Sequence, residues 1–175
     1  MAEFNSNVWA PWRAEYIRSF EDQARETECF LCDYLTSPAD DLTNYVVGRS
    51  AGALTVLNRY PYTAGHLLIA PLRHVAEPDD FADDELLALA RAVRDAARML
   101  KSALQPQGFN IGMNLGRCAG AGLPGHLHWH VVPRWIGDTN FMPIVGDARV
   151  ISDSLDHVAQ RLRTAAEGLA PHRPR

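Results

Sequence analysis

The stretch Gly125-His126-Leu127-His128-Trp129-His130-Val131-Val132-Pro133-Arg134 decides how this chain is read. Histidine alternates with apolar residues over five positions. That is the period of a β-strand, whose successive side chains point to opposite faces. All three imidazoles are expected on one surface, about 6.6 Å apart per step of two residues, with Leu127, Trp129 and Val131 on the other. One face carries chemistry and the other carries core. Three uses compete for the triplet. The imidazoles are ordinary strand side chains satisfied by solvent or neighbours, or neutral ligands of a metal, or a catalytic set in which one attacks an electrophile while the others handle charge and protons.

Upstream lies Asn114-Leu-Gly116-Arg-Cys-Ala-Gly120-Ala-Gly122-Leu-Pro-Gly125. A glycine-dense loop folds tightly and can present backbone N–H groups to an anion, and it can equally be a plain turn. On the first reading the loop supplies phosphate donors and the strand supplies the nucleophile. No Gly-x-x-x-x-Gly-Lys-Ser/Thr stretch is present, so a Walker-type nucleotide site is not indicated.

Working outward, Tyr45 to Val47, Leu54 to Asn58, Leu67 to Ala70 (entered through Gly65) and Phe109 to Leu115 read as strands, and Pro38 to Asp41 as a turn. A helix is expected with Asp83 as N-cap and Asp84 and Glu85 in its first turn. It sets Leu86, Leu89 or Ala90, Val93, Ala97, Leu100 and Leu104 on one face before Pro106 and Gly108 end it. A second helix from about Ser152 carries Leu155, Val158, Leu162, Ala166 and Leu169, a stripe that suits its own core or another subunit equally. Trp9 to Ile17 reads as a short amphipathic segment, and residues 170–175 as a frayed tail. Hairpins interrupted by a helix predict an α+β fold, an antiparallel sheet with helices packed against it.

With 175 residues, 47% of them hydrophobic, the chain suits one domain with one core. Its core is expected over about 9–150, followed by the helix over about 152–169. No apolar run approaches the roughly 18 residues of a membrane span, and the amino terminus lacks the pattern of a signal peptide. A cytoplasmic protein without a membrane partner is therefore expected. The net charge of −4 argues against a large nucleic-acid-binding surface, because such surfaces cluster Lys and Arg. An anionic substrate has to be met locally; Arg13, Arg59, Arg73, Arg117 and Arg134 are candidates, none singled out.

Three cysteines, Cys29, Cys32 and Cys118, are too few and too odd in number for a disulfide framework. Cys29-Phe-Leu-Cys32 has the spacing that lets two thiolates hold one zinc ion, or the pair packs as small hydrophobes. Two further ligands would be needed.

The run His126-Leu-His-Trp-His130-Val-Val resembles the histidine-triad motif, His-φ-His-φ-His-φ-φ with φ apolar, at all seven positions. Leu57-Asn58-Arg-Tyr-Pro-Tyr-Thr-Ala-Gly65-His66-Leu-Leu-Ile-Ala-Pro71-Leu-Arg-His74-Val resembles the second block of that family, ending in Pro-x-x-His. The likeness runs from about Trp9 to about Val150. It implies the same antiparallel α+β fold and a homodimer.

The resemblance also implies roles. His128 takes the position of the nucleophile that attacks the α-phosphorus of a nucleotide and carries the nucleotidyl group. His130 contacts phosphate oxygens and helps the leaving group depart, His126 orients the strand or binds zinc, and His66 supports the strand. Asn58 and Asn114 fall at nucleotide and phosphate positions, and the backbone N–H groups around Ala121 and Gly122 hold phosphoryl oxygens. Relatives often carry a hydroxyl or amide side chain at those last two positions, which puts the proton supply to the leaving group in question here. Leu57, Tyr60, Tyr62, Trp129 and Trp135 are candidate walls for the base, with Trp129 read as core because it alternates with the histidines. Some branches bind a structural zinc at positions matching Cys29, Cys32, His74 and His126, and none of the roles above requires a catalytic cofactor. Pro133 to Pro143, together with Asn58 to Tyr62, looks most like the bacterial branch related to diadenosine tetraphosphate phosphorylases. A water-dependent hydrolase, a nucleoside phosphoramidase and a nucleotide sensor with vestigial catalysis are the alternatives.

Overall fold

The central strands are apolar at nearly every position, and that decides where the layers go. The computed structural model describes residues 29–139 and 151–169. In chain order these form α1 (Phe30–Thr36), a 3-10 turn at Pro38–Asp40, β1 (Val46–Arg49), β2 (Ala53–Leu57) and β3 (Leu67–Pro71). There follow α2 (Asp83–Leu104), β4 (Gly108–Met113), β5 (Trp129–Arg134) and α3 (Leu155–Glu167). The five strands make one antiparallel sheet in the order β1-β2-β3-β5-β4.

All ten residues of β2 and β3 are buried, as expected of strands covered on both faces. On one face Leu57, Leu67, Ile69 and Val131 meet Leu89, Ala96, Met99 and Leu100 of α2 and Val158, Ala159 and Leu162 of α3. On the other face Leu54, Val56, Leu68 and Ala70 meet Leu31 of α1 and Leu123 of the glycine loop. The stripe of α3 thus serves the core of its own chain. No described helix is long and apolar enough to cross a membrane.

Gly65 starts β3 from a left-handed conformation, φ +86°, where a Cβ would lie 2.5 Å from Leu104 Cδ1. Glycine is required there both for its φ and for the contact. The turn over residues 58–65 can therefore tuck under the end of α2 and deliver His66 to the sheet.

Several boundaries differ from the sequence reading. The N-cap of α2 is Ala82 rather than Asp83, its N–H bonded to Glu85 Oε2 at 3.0 Å. Leu86 is 40% exposed; of the expected stripe Leu89, Val93, Leu100 and Leu104 pack in the core, joined by Ala96 and Met99. Tyr45 precedes β1 in a left-handed conformation, φ 56°. Helix α1 was not anticipated. The amphipathic reading of Trp9 to Ile17, the frayed tail and residues 140–143 lie outside the described residues.

Candidate active site and metal centre

The expected alternation holds around the triad, but the strand does not begin where the sequence suggested. β5 starts at Trp129, so only His130 of the three histidines lies within the sheet. His126 and His128 precede it, with the Leu127 N–H donating outside the sheet to Val75 O at 2.6 Å. Leu127, Trp129 and Val131 still pack into the core under α2 and α3, Trp129 among them as read. The three imidazoles point away from that core without sharing one surface. His128 and His130, ring centroids 5.0 Å apart, line a cleft of about 630 Å³, while the fully buried His126 turns toward Cys29 and Cys32. The cleft volume falls within the range of small-ligand sites, about 300–1,000 Å³.

Backbone partners fix which nitrogen of His128 carries its proton. Nδ1 lies 2.8 Å from the carbonyl oxygen of His126. A carbonyl only accepts, so Nδ1 donates and the lone pair of the neutral ring is on Nε2. Burial lowers the pKa of His128, opposed in part by that hydrogen bond. The ring is therefore held as neutral imidazole with Nε2 as its nucleophilic atom.

A second chain of bonds orients His130. The Tyr62 N–H donates to His66 Nδ1 at 3.2 Å, and Asn58 Nδ2 lies 3.2 Å from the same nitrogen. Accepting there, His66 carries its proton on Nε2, which lies 3.0 Å from His130 Nδ1. His130 then accepts at Nδ1 and presents an N–H at Nε2. Burial, followed by the proximity of His128, lowers the His130 pKa to about 4. Asn114 Nδ2 donates to Gly120 O at 3.4 Å, the outer limit of hydrogen bonding, and its equal distance from His130 Nε2 is a contact without a hydrogen bond, because both nitrogens carry hydrogen.

The glycine loop supplies the rim of the cleft through Gly120 and Gly122. Gly116 and Gly120 adopt φ of 73° and 90°, which lets residues 117–119 form a tight 3-10 turn. The Ala121 N–H donates to Gly116 O at 3.3 Å, so it closes the loop, whereas Gly122 is exposed at the cleft. Of the five arginines, Arg73 pairs with Glu85 and Arg134 with Asp138, Arg13 lies outside the described residues and Arg117 is exposed on the loop. Arg59 lines the cleft, donating to Thr43 O at 2.8 Å and lying over the Tyr45 ring.

Leu57, Tyr60 and Tyr62 border the cleft as anticipated, and Trp135 does not. Several wall residues escaped the sequence reading, Val56, Leu68 and Leu123 among them and, on α1, Phe30 and Tyr34, aromatic rings that meet edge to face at 5.4 Å. The signal of the α1 pair was the run Phe30, Leu31, Tyr34, Leu35, one and four apart, one turn of an amphipathic helix.

Behind that wall, the ligand atoms of Cys29, Cys32, His74 and His126 all lie within 4.8 Å of one another. Cys29 Sγ is 3.2 Å from His126 Nδ1, and Cys32 Sγ is 3.2 Å from His74 Nδ1 and 3.5 Å from His126 Nδ1. His126 Nε2 lies 3.1 Å from Pro71 O and donates there, which leaves its Nδ1 lone pair facing the sulfurs. A tetrahedral zinc with bonds of about 2.0–2.3 Å separates its ligands by roughly 3.3–3.8 Å, so the four residues could hold such an ion. Two sulfurs and two imidazoles complete a closed set of the structural kind. Burial, with Cys29 beside it, pushes the Cys32 thiol up to about 11. Gly125 fits against His74, since a Cβ there would lie 3.1 Å from Nε2. Cys118 is exposed and apart from this cluster.

The sequence was compared with known proteins and the fold with solved structures. Residues 40–135 match the family described as HIT domain. An AP-4-A phosphorylase from Mycobacterium tuberculosis is 39% identical over 163 residues, which cover 90% of this chain and 82% of that protein. The crystal structure of a Zn-bound histidine triad family protein from Mycobacterium smegmatis superposes with a TM-score of 0.64 at 25% identity, covering 80% of this chain and 94% of that one. A hypothetical histidine triad nucleotide-binding protein from Sulfolobus tokodaii gives 0.62 at 26% identity, over 78% and 92% of the respective chains. The matched residues contain both the cleft histidines and the glycine loop, and the chain belongs to the HIT domain family.

Proposed function

We propose that this protein is a nucleotidyl transferase that cleaves dinucleoside polyphosphates of the diadenosine tetraphosphate type at the α-phosphate, with inorganic phosphate as acceptor. One observation carries the reading: the His126 carbonyl holds the proton of His128 on Nδ1, leaving a buried, neutral Nε2 at the cleft. The 39% identity to an AP-4-A phosphorylase supports the substrate class.

In the first step His128 Nε2 forms a bond to the α-phosphorus. The phosphorus–oxygen bond to the remaining polyphosphate breaks, and its electron pair leaves with that oxygen. The ring becomes cationic, and its Nδ1–H bond to His126 O strengthens, a charge-assisted bond worth about 1.5–3 kcal/mol. His130 Nε2–H donates to the departing oxygen, a role its tautomer suits and for which no hydroxyl or amide side chain exists at Ala121 or Gly122. Gly122 and Arg59 of the cleft, with Asn114 beside His130, meet the phosphates, and Phe30, Tyr34 and Leu68 wall the base. In the second step a phosphate oxygen attacks the same phosphorus, and the phosphorus–nitrogen electron pair returns to Nε2. Diadenosine tetraphosphate and phosphate thus give ADP and ATP.

Cys29, Cys32, His74 and His126 would hold a zinc ion, which would supply structural cross-linking outside these steps. The reading includes a cytoplasmic homodimer. Among the described residues β4 is an edge strand, and Ile111 on it and Leu115 just beyond are 45% and 41% exposed, which supports a partner at this edge. Incubation with diadenosine tetraphosphate, with and without phosphate, tests the reaction when AMP, ADP and ATP are resolved by chromatography. ADP and ATP only in the presence of phosphate is the expected result. AMP and ATP regardless of phosphate would make water the acceptor, and tight binding without turnover would make the protein a sensor.

A further inference from the structure

Helix α1 is the least self-sufficient part of the cleft wall. At seven residues it is too short to persist without tertiary anchors, and its N-terminus has no side-chain cap. Leu31 anchors its middle in the apolar cluster with Leu54 and Leu68. Arg49 holds its far end through the carbonyls of Tyr34 and Leu35. At its near end the fixed points are Cys29, at the N-cap, and Cys32, in the first turn. Their sulfurs face His74, which follows β3, and His126, which precedes β5. Phe30 stands between these two cysteines and, with Tyr34, forms the α1 part of the wall opposite His128 and His130.

We infer that the cluster of Cys29, Cys32, His74 and His126, when it holds a zinc ion, is a clamp that keeps Phe30 and Tyr34 against the cleft and so sets nucleotide affinity. The inference rests on the reading that the cleft holds a nucleotide. With an ion in place, the near end of α1 is bonded to two segments that belong to the sheet. With thiols and imidazoles alone, weak sulfur–nitrogen hydrogen bonds and the packing of Cys29 and Phe30 on the apolar cluster hold that end, and local opening of α1 costs less than with a bonded ion. Apparent affinity falls in proportion to the fraction of molecules whose wall is in place, because only those bind productively. Cys29 and Cys32 are thus positioning residues that act on the ligand through Phe30 and Tyr34.

The test is a thermodynamic cycle. AMP affinity is measured by calorimetry on zinc-loaded and chelator-stripped protein, both for the natural sequence and for a Phe30→Ala/Tyr34→Ala variant. Hydrogen exchange is followed in parallel at the amides of residues 30–36. Stripping is expected to weaken AMP binding about tenfold in the natural sequence, as for a wall docked one-tenth of the time. In the variant the loss should be less than about twofold, since the wall is already gone. Exchange should quicken over 30–36 while β2 and β3 stay protected. Equal losses in both proteins would overturn the clamp, because the ion would then act elsewhere, for example through His126. Unchanged affinity on stripping, or loss of protection throughout the sheet, would also overturn it. If AMP fails to bind the zinc-loaded natural protein, the nucleotide reading falls, and unchanged exchange over 30–36 would overturn the clamp independently.

Discussion

His130 is half-buried between His66 and His128, and its pKa of about 4, against 6.5 for an ordinary imidazole, ties the stability of the fold to pH. Between those two values the unfolded chain binds a proton at this side chain that the folded chain refuses. Stability therefore rises with pH across the window and is lost as pH falls through it. At pH 5 the unfolded imidazole is almost fully protonated and the folded one about a tenth protonated, which makes the loss relative to pH 8 about 2 kcal/mol. The limiting loss, below pH 4, is about 3 kcal/mol. His130→Gln removes the titrating group while keeping a polar side chain beside His66. Urea unfolding of both proteins at pH 5 and pH 8 checks the reasoning. The natural protein should lose about 2 kcal/mol more than the variant on moving to pH 5, whatever the other histidines add to both. Equal losses would show that His130 titrates normally in the folded state, and the argument that its neighbours hold it neutral with a proton on Nε2 would fail. The same neutrality predicts that no ionisation of His130 shapes the activity profile between pH 6 and pH 8.

Three further outcomes are expected. His128→Ala should lower kcat by at least about 10³-fold and leave AMP affinity within about threefold, because it removes the attacking atom while the walls of the cleft remain; turnover assays and calorimetry decide this, and substantial residual turnover would refute the role of Nε2. Gly65→Ala forces a side chain into a left-handed φ and against Leu104, and should destabilise the fold by about 2–5 kcal/mol in urea denaturation. Gly125→Ala presses a methyl group on the His74 ring and should weaken zinc binding about tenfold in a competition with a chromogenic chelator, with urea stability of the zinc-free protein unchanged within about 0.5 kcal/mol.

Elements with a clear period were legible in the sequence. The alternation from His126 to Val131 separated the core residues Leu127, Trp129 and Val131 from the histidines, although His126 turns to the cysteines instead of joining His128 and His130 at the cleft, and α2 and α3 form where their stripes suggested. Boundaries were weaker: Leu86 fits the helical stripe of α2 by spacing, yet it is 40% exposed, and spacing alone does not say which turn of a helix is covered. Spacing alone could pair Cys29 with Cys32, yet it could not supply His74 and His126, which arrive from 42 and 94 residues beyond Cys32. Those two came from the family resemblance. The resemblance likewise gave His66 as a support of the triad strand, but that its partner is His130 depends on the antiparallel pairing of β3 with β5, in which Leu68 faces His130. Helix α1 was too short for its single turn of apolar spacing to stand out from a loop.

Sequence presents His126, His128 and His130 as three equal imidazoles, and their chemistry diverges through what each ring nitrogen faces. His126 spends Nε2 on Pro71 O, so its free lone pair is on Nδ1, toward the sulfurs. His128 spends Nδ1 on a carbonyl, so its lone pair is on Nε2. His130 accepts at Nδ1 from His66, so it offers a proton at Nε2 rather than a lone pair. A lone pair toward the sulfurs, a lone pair at the cleft and an N–H at the cleft follow from one residue type because three different partners, two carbonyls and one imidazole, each settle one nitrogen and thereby the other; these are the states that the proposed roles of ligand, nucleophile and donor require. The carbonyl that orients His128 belongs to His126 itself. Through its ring His126 faces the sulfurs, and through its backbone it fixes the tautomer of His128, so one residue borders both the cysteine–histidine cluster and the cleft across two peptide bonds.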